Sequence, residues 1–365
     1  MPYFHDLSPI LIPISGDFAV RWYGVSYVAG FVIAYFVLLA LAKRGKIQIP
    51  PRYVADAMMM IVLGTLIGGR LGYALVYDQK LLYTFTSSFP WWNLLAINKG
   101  GMASHGGMVG IMLGCWRVSR GWKTETGEVV GRTTVLHVMD VMGLVAGFGL
   151  LLGRFANFIN GELLGKIVSS PGTPGPWWSV QFPQELHGWL APGVREKATH
   201  APDLSPEQQI QLHELVRSVQ KPGEAWDAAL GRIIAHAGEH KQQLIPLLSS
   251  RHASQLYQAA AEGLVLGLIV WAIWWRPRKP GVVAAWWFMI YGVLRILTET
   301  IRLPDAQFGD AGRIIGLSRG QWLSAAMVVF GAGLLVYALR RTGPAIGGWG
   351  RRSEGPVGVQ GPRMS

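Results

Sequence analysis

Seven stretches of this chain are apolar over about the 20 residues that a helix needs to cross a bilayer. They run from Phe18 to Ala42, Val54 to Tyr77, Gly101 to Val118, Val135 to Phe155, Leu256 to Trp275, Val282 to Ile301 and Trp322 to Leu339. Composition agrees: 50% of the residues are hydrophobic and only 15% charged, with 16 Trp and 47 Gly. A soluble domain carries about a quarter charged residues. The third and fourth stretches are rich in glycine, which membrane helices tolerate and soluble ones resist. The expected fold is an all-α polytopic membrane protein of seven transmembrane helices.

The net charge of +12 does not indicate nucleic acid, because Lys and Arg fall in short clusters beside apolar runs and form no single basic face. Lys43, Arg44, Lys46 and Arg52 follow the first stretch, and Arg117, Arg120, Lys123 and Arg132 the third. Arg276, Arg278 and Lys279 follow the fifth, and Arg340 and Arg341 the seventh. These are alternate loops, and cytoplasmic loops carry the excess of Lys and Arg. The N-terminus is therefore expected outside and the C-terminus in the cytoplasm. Asp6 and Asp17 precede the first stretch, no basic segment does, and the stretch is too long for a signal-peptide core, so it reads as a retained span. Cys115 is the sole cysteine, which excludes a disulfide within the chain and a multi-cysteine metal site.

Residues 1–161 hold the first four spans, 162–254 a periplasmic head region, 255–342 the last three spans, and 343–365 a Gly/Pro/Arg-rich tail expected to be disordered. Within the head, Lys166 to Pro192 reads as irregular, with short strands over Trp177 to Phe182. An insert over 194–250 reads as helical from Ser205 to Leu248. Ser205 suits an N-cap and Pro206 the first helical position. Ile210, Leu212, Leu215, Val216 and Val219 form a helical stripe. The region is expected to be too short and polar for a second large core.

Several ionisable residues stand where a bilayer would exclude them. Arg70 lies in GGRLGY within span two, His105 in GGMASHGG near the start of span three, and Arg154 at the end of span four. Arg295, Glu299 and Arg302 lie in span six. A charge at mid-bilayer costs about 2.5–3.5 kcal/mol on insertion scales, so such residues need pairing or a function. Tyr291, Arg295, Glu299 and Arg302 recur at i, i+4, i+8 and i+11, one face of a helix. The run GRFANFINGELLG, Gly153 to Gly165, sets Arg154 beside Asn157, Asn160 and Glu162 at the mouth of an apolar span.

One reading is a structural ion pair locking two helices. The other is a shared, net-positive pocket in the outer half of the bilayer, where the planar fork of Arg suits a phosphodiester such as a phospholipid head group. His105 has a titration range suited to general-base work; alternatively it bonds a helix-end carbonyl. No GxSxG, Walker loop, HExxH or dinucleotide loop is present, so an enzyme of this kind would take its nucleophile from a substrate. Nothing in the sequence implies a metal or redox cofactor. An anion or lipid transporter or channel of the inner membrane would also suit polar residues in glycine-rich helices. It predicts inverted repeats, and none is found. An intramembrane protease needs a Ser or Asp partner for His105 that the spans do not supply.

GRFANFINGELLG resembles the signature of the prolipoprotein diacylglyceryl transferase family. Further runs carry the resemblance in the same order: RWYGVSY at 21–27, GGRLGY at 68–73, GGMASHGGMVG at 100–110, HASQLYQAAAEG at 252–263 and YGVLRILTETIRLPDAQFG at 291–309. It covers nearly the whole chain except the insert and the tail. It implies transfer of a diacylglyceryl group from phosphatidylglycerol to the lipobox cysteine of a preprolipoprotein, with formation of a thioether and release of glycerol 1-phosphate. The setting implied is the bacterial inner membrane, with the site toward the periplasm. The family's functional positions fall on Tyr23, His105, Arg154, Asn157, Glu162, Gly165, Tyr291, Arg295 and Glu299. On that basis Arg154 and Arg295 grip the phosphate, Glu299 orients Arg295, and His105 takes the thiol proton. Tyr23 and Asn157 bond head-group or glycerol oxygens, Asn160, Glu162, Gly165 and Tyr291 belong to the substrate site, and Arg70 and Arg302 support it. Ala156 stands where the family more often has Gly, and Leu164 where it often has Trp; both leave the polar positions untouched.

Overall fold

The computed structural model describes residues 1–15, 18–87, 89–96, 101–190, 201–303 and 316–349; the side chains of Ser15, Phe18, Ser104, His105 and Arg319 lie outside that description. Most of the described chain is helical. Six described helices are long and apolar enough to cross a membrane: Trp22–Lys43, Pro51–Val76, Val135–Ile159, Ser254–Trp274, Val282–Glu299 and Gly320–Arg340. The chain is therefore a polytopic membrane protein by the length and composition of its helices. The stretch read as a third span is helical over Ser104–Ser119, 16 residues. That is about 24 Å at 1.5 Å per residue, short of a hydrocarbon core of about 30 Å.

The first span starts later than expected. Ile10–Ser15 and Phe18–Arg21 pair as an antiparallel hairpin, with Ile10 opposite Arg21 and Pro13 opposite Ala19, and the helix begins at Trp22. Hydropathy alone does not separate an apolar strand leading into a helix from the helix itself.

The chain divides into two compact units. The first comprises Met1–Phe31, Ala146–Leu268 and Phe288–Phe330. It contains a four-stranded sheet, which corrects the all-α expectation. The strand order is Tyr3–Phe4, Val180–Gln181, Ser250–Arg251, Ile167–Ser169, with the first pair parallel and the others antiparallel. The strand Val180–Gln181 falls within the short strands expected over Trp177 to Phe182; the other two-residue strands carry too little alternation to be read from sequence. Glu185 and Arg251 are both fully buried and meet at 2.5 Å. Ser249 N–H donates to the other Glu185 oxygen, and Arg251 Nη1 donates to Gly165 O at 3.2 Å. The sheet thus holds the end of the signature run.

The insert starts as its sequence predicts. Ser205 Oγ accepts from Gln208 N–H, Gln208 Oε1 accepts from Ser205 N–H, and Pro206 opens the helix Pro206–Val219. Leu212, Leu215 and Val216 are buried, whereas Ile210 is exposed. Leu230, Ile233 and Ile234 of the helix Trp226–Ala235 join them, with Leu244, Leu247, Leu186 and Phe4. The region, expected to be too short for a second large core, gathers a small core of its own. Its apolar residues are few but gather on one side of each helix, and the N-terminal strand supplies Phe4.

The second unit comprises Val32–Val145, Ile269–Trp287 and Gly331–Ser365. Its helices Val54–Val76 and Ser104–Ser119 meet backbone to backbone. A Cβ on Gly68 would stand 2.3 Å from Gly106 O, and one on Gly110 1.8 Å from Gly64 O. Glycines four residues apart on both helices admit this approach. Asp140 is buried and accepts the N–H groups of Gly281 and Ala284 at 2.7 Å each, capping the start of the helix Val282–Glu299. The structureless tail expected from Gly343 does not hold over Gly343–Trp349. Ile346 N–H donates to Arg278 O at 2.8 Å, and Trp349 stacks on Trp271 with centroids 4.8 Å apart. Trp349 gives this Gly-rich segment an apolar anchor that its composition obscured.

Candidate functional site

The helix Val135–Ile159 carries Arg154 and Asn157 near its end, three residues apart and on one face. The Asn157 amide donates to the Tyr23 hydroxyl, leaving the phenol proton for another acceptor. The helix stops at Gly161, whose φ is +62°. Gly161 N–H bonds Phe158 O and Glu162 N–H bonds Asn157 O, each at 3.0 Å. This pairing closes the orphan carbonyls of a helix end and favours glycine in the left-handed position. Leu163 is also left-handed, φ +57°, which is uncommon outside glycine. Its carbonyl accepts Ser254 Oγ at 2.9 Å, and that of Glu162 accepts Gln255 Nε2 at 2.5 Å. A Cβ on Gly165 would lie 2.2 Å from His252 O, so main-chain packing accounts for glycine there.

Beside this loop a connected chain of ion pairs runs through five side chains. Arg154 Nη2 meets Glu262 Oε2 at 2.9 Å, and Glu262 Oε1 meets Arg295 Nη1 at 3.5 Å. Thr298 Oγ1 donates to the same Glu262 oxygen at 2.8 Å. Arg295 Nη2 meets Glu299 Oε2 at 2.9 Å, and Arg302 Nη1 lies 3.9 Å from that oxygen. The Glu262 side chain is fully buried, while Arg154 and Arg295 keep 15% and 14% of theirs exposed. Both guanidiniums are thus held by buried carboxylate oxygen while their side chains keep some exposed surface.

The predicted Arg295–Glu299 pair is present, but Arg302 reaches Glu299 differently from the expected helical face. The helix Val282–Glu299 ends before it, and Arg302 forms an antiparallel bridge with Gly165. Leu303 N–H bonds Leu164 O, and Lys166 N–H bonds Ile301 O. Pairing with the signature loop replaces the last helical turn.

Glu262 is not among the sequence candidates. An acid inside an apolar span is the available signal, but the stretch from Leu256 to Trp275 as a whole reads as apolar and masks it. The helix around it is π-helical over Ala259–Val265, and such segments are rare and frequent at functional sites. Tyr291 lies one turn before Arg295 on its helix. Asn160 Oδ1 is buried without a hydrogen-bond partner among the described residues.

Arg70 belongs to the second unit. Its Nε donates to Leu94 O at 2.7 Å, Nη1 to Gly101 O at 2.9 Å, and Nη2 to Asn93 O at 2.7 Å and Ala96 O at 3.3 Å. Its fork anchors a loop through four backbone carbonyls. His105 is a residue of the helix Ser104–Ser119, and its side chain lies outside the described residues.

Buried carboxylate oxygens that hold partly exposed arginines at the ends of apolar helices define a multi-pass membrane protein with a charged cluster at its helix ends. Comparison with known proteins sharpens that class. The prolipoprotein diacylglyceryl transferase family matches residues 9–337. Relatives named phosphatidylglycerol–prolipoprotein diacylglyceryl transferase include one from Bdellovibrio bacteriovorus, 39% identical over 360 residues, covering 95% of this chain and 97% of the relative. One from Paraburkholderia phymatum is 33% identical over 353 residues, covering 93% and 95%. One from Burkholderia thailandensis is 32% identical over 355 residues, covering 93% and 97%. The chain belongs to the prolipoprotein diacylglyceryl transferase family.

Proposed function

We propose that this protein transfers the diacylglyceryl group of phosphatidylglycerol to the lipobox cysteine of a preprolipoprotein. The relatives' names supply the lipid and the prolipoprotein. The observation that carries the reading in this chain is the pair Arg154 and Arg295, tied to one buried carboxylate with both side chains partly exposed. Two planar forks suit the oxygens of a phosphodiester.

In the reaction the cysteine sulfur bonds to the glycerol carbon of the diacylglyceryl group. The bond from that carbon to the phosphate oxygen breaks, and its electron pair leaves with glycerol 1-phosphate. Negative charge grows on the phosphate as the bond breaks, so fixed guanidiniums stabilise the transition state more than the bound substrate. Glu299 orients Arg295, Arg302 supports Glu299, and Asn157 and Tyr23 bond head-group or glycerol oxygens. Asn160, Glu162 and Tyr291 complete the substrate site. The thiolate is the attacking species and a free cysteine has a pKa of about 8.5, so a base is needed, and His105 is proposed for it. The membrane arrangement proposed is seven spans in the bacterial inner membrane, counting Ser104–Ser119, with the N-terminus and the site outside. It rests on the alternation of the Lys/Arg clusters.

Purified protein incubated with phosphatidylglycerol and a lipobox peptide should add the mass of a diacylglyceryl group to the peptide and release glycerol 1-phosphate. Arg154→Ala should insert normally and lose about 10²–10³-fold in kcat, the usual effect of removing one charge-stabilising donor. Lipidation by that variant at the unaltered rate would overturn the clamp.

A further inference from the structure

The geometry points to Glu262 as a positioning residue that also sets the charge of the site. Its fixed negative charge seats both arginine forks and keeps the phosphate product from binding more tightly than the phosphodiester substrate. This inference rests on the phosphate-clamp reading of Arg154 and Arg295.

Three donors converge on Glu262. Arg154 Nη2 takes one carboxylate oxygen, and Arg295 Nη1 and Thr298 Oγ1 share the other. A Cβ on the next residue, Gly263, would lie 2.7 Å from the Leu151 Cα, so the backbone carrying Glu262 is pressed against the helix Val135–Ile159. The π-helical turn over Ala259–Val265 fixes the direction in which the side chain leaves that backbone. A buried carboxylate held by two guanidiniums is stable where an unpaired one would not be.

The charge balance gives the arrangement a consequence. Arg154, Arg295 and Arg302 face Glu262 and Glu299 in one connected chain of ion pairs. Within that chain of ion pairs, three cations against two anions leave one positive charge, which a phosphodiester monoanion neutralises. Breaking the carbon–oxygen bond turns that phosphate into a monoester with a second ionisation near pH 6. At neutral pH the product therefore brings more negative charge than the cluster can balance, and release is favoured. Without the Glu262 charge the cluster would match the dianion instead.

The test is product inhibition. Glu262→Gln keeps the shape and removes the charge. It should lower the inhibition constant of glycerol 1-phosphate by about tenfold or more, the direction and scale expected for a lost charge at contact distance. It should lower kcat while KM for phosphatidylglycerol falls or holds. Glu262→Asp keeps the charge but shortens the reach, so it should lose activity with product inhibition near the unaltered level. In the unsubstituted protein, glycerol 1-phosphate should compete no better than the water-soluble phosphodiester glycerophosphoglycerol, a measurement that needs no variant to fold. Unchanged or weaker product inhibition in Glu262→Gln, or stronger competition by glycerol 1-phosphate than by the diester in the unsubstituted protein, would overturn the charge-tempering role. The clamp itself stands or falls separately, on the activity of Arg154→Ala.

Discussion

Gly165 illustrates how a residue is picked out of a sequence for one reason and explained by another. The sequence marks it as part of GRFANFINGELLG and the substrate site. In the structure a Cβ there would lie 2.2 Å from the carbonyl oxygen and 2.9 Å from the carbonyl carbon of His252. The obstacle is main chain, and the Gly165 carbonyl is tied to Arg251 while its backbone bridges Arg302. Gly165→Ala should therefore destabilise the protein by about 1–3 kcal/mol, the range for overpacking, and disturb Arg302 through the bridge. Thermal unfolding in detergent measures this; a melting temperature equal to that of the unsubstituted protein would show that the loop yields. Other residues divide along similar lines. Arg154, Arg295 and Glu299 are legible because charge in an apolar span stands out. Glu262 obeys the same rule and is hidden within a run that is otherwise apolar. Arg70 obeys it too, but no pattern in GGRLGY distinguishes an arginine facing a phosphate from one facing four carbonyls.

At the level of elements, helix positions follow from hydropathy and helix ends do not. The helix of the signature run is expected to stop at Phe155 and continues to Ile159, because the Gly161 closure lies further on. His5 completes that end from far away in sequence. Its Nε2 donates to Phe158 O at 2.7 Å, a second bond to a last-turn carbonyl that the Gly161 N–H also takes. The ring also packs on Phe158 and Phe182 with centroids 5.4 and 5.0 Å away. Burial pushes the His5 pKa below its ordinary value, against the pull of the Phe158 bond and Asp6. Below about pH 6.5 the unfolded chain then binds a proton that the folded one resists. The stability due to neutral His5 is full above that pH and is lost as pH falls toward the lower folded value. His5→Phe should melt earlier at neutral pH, and its melting temperature should fall less between about pH 7 and pH 5. Parallel pH profiles for the two proteins would remove His5 from the acid sensitivity. Neither this cap nor the pairing of the Tyr3 strand with Val180–Gln181 is visible in the sequence, since both depend on partners more than a hundred residues away.

For the whole molecule, one short helix decides the sidedness. Six described helices meet the length for crossing, and Ser104–Ser119, at 16 residues, falls short of it. A bilayer accommodates such a mismatch by local thinning and by flanking residues that reach the interface, and Arg117 and Arg120 stand at that end. If the helix crosses, the termini lie on opposite sides, and the basic loops after Lys43 and Ser119 share the cytoplasm as the positive-inside rule requires. If it does not cross, those loops separate and the head region moves to the cytoplasm. The sole cysteine, Cys115, is fully buried, so single cysteines introduced elsewhere report against a quiet background. Glu214→Cys in the insert and Thr126→Cys after the short helix are both exposed positions. With an impermeant maleimide on intact spheroplasts, Glu214→Cys should label at once and Thr126→Cys only after permeabilisation. The reverse pattern would leave two arrangements, six crossings with the N-terminus outside or seven with it in the cytoplasm. It would also place the head region, and the signature loop that the sheet holds, in the cytoplasm, away from a substrate cysteine presented at the outer leaflet.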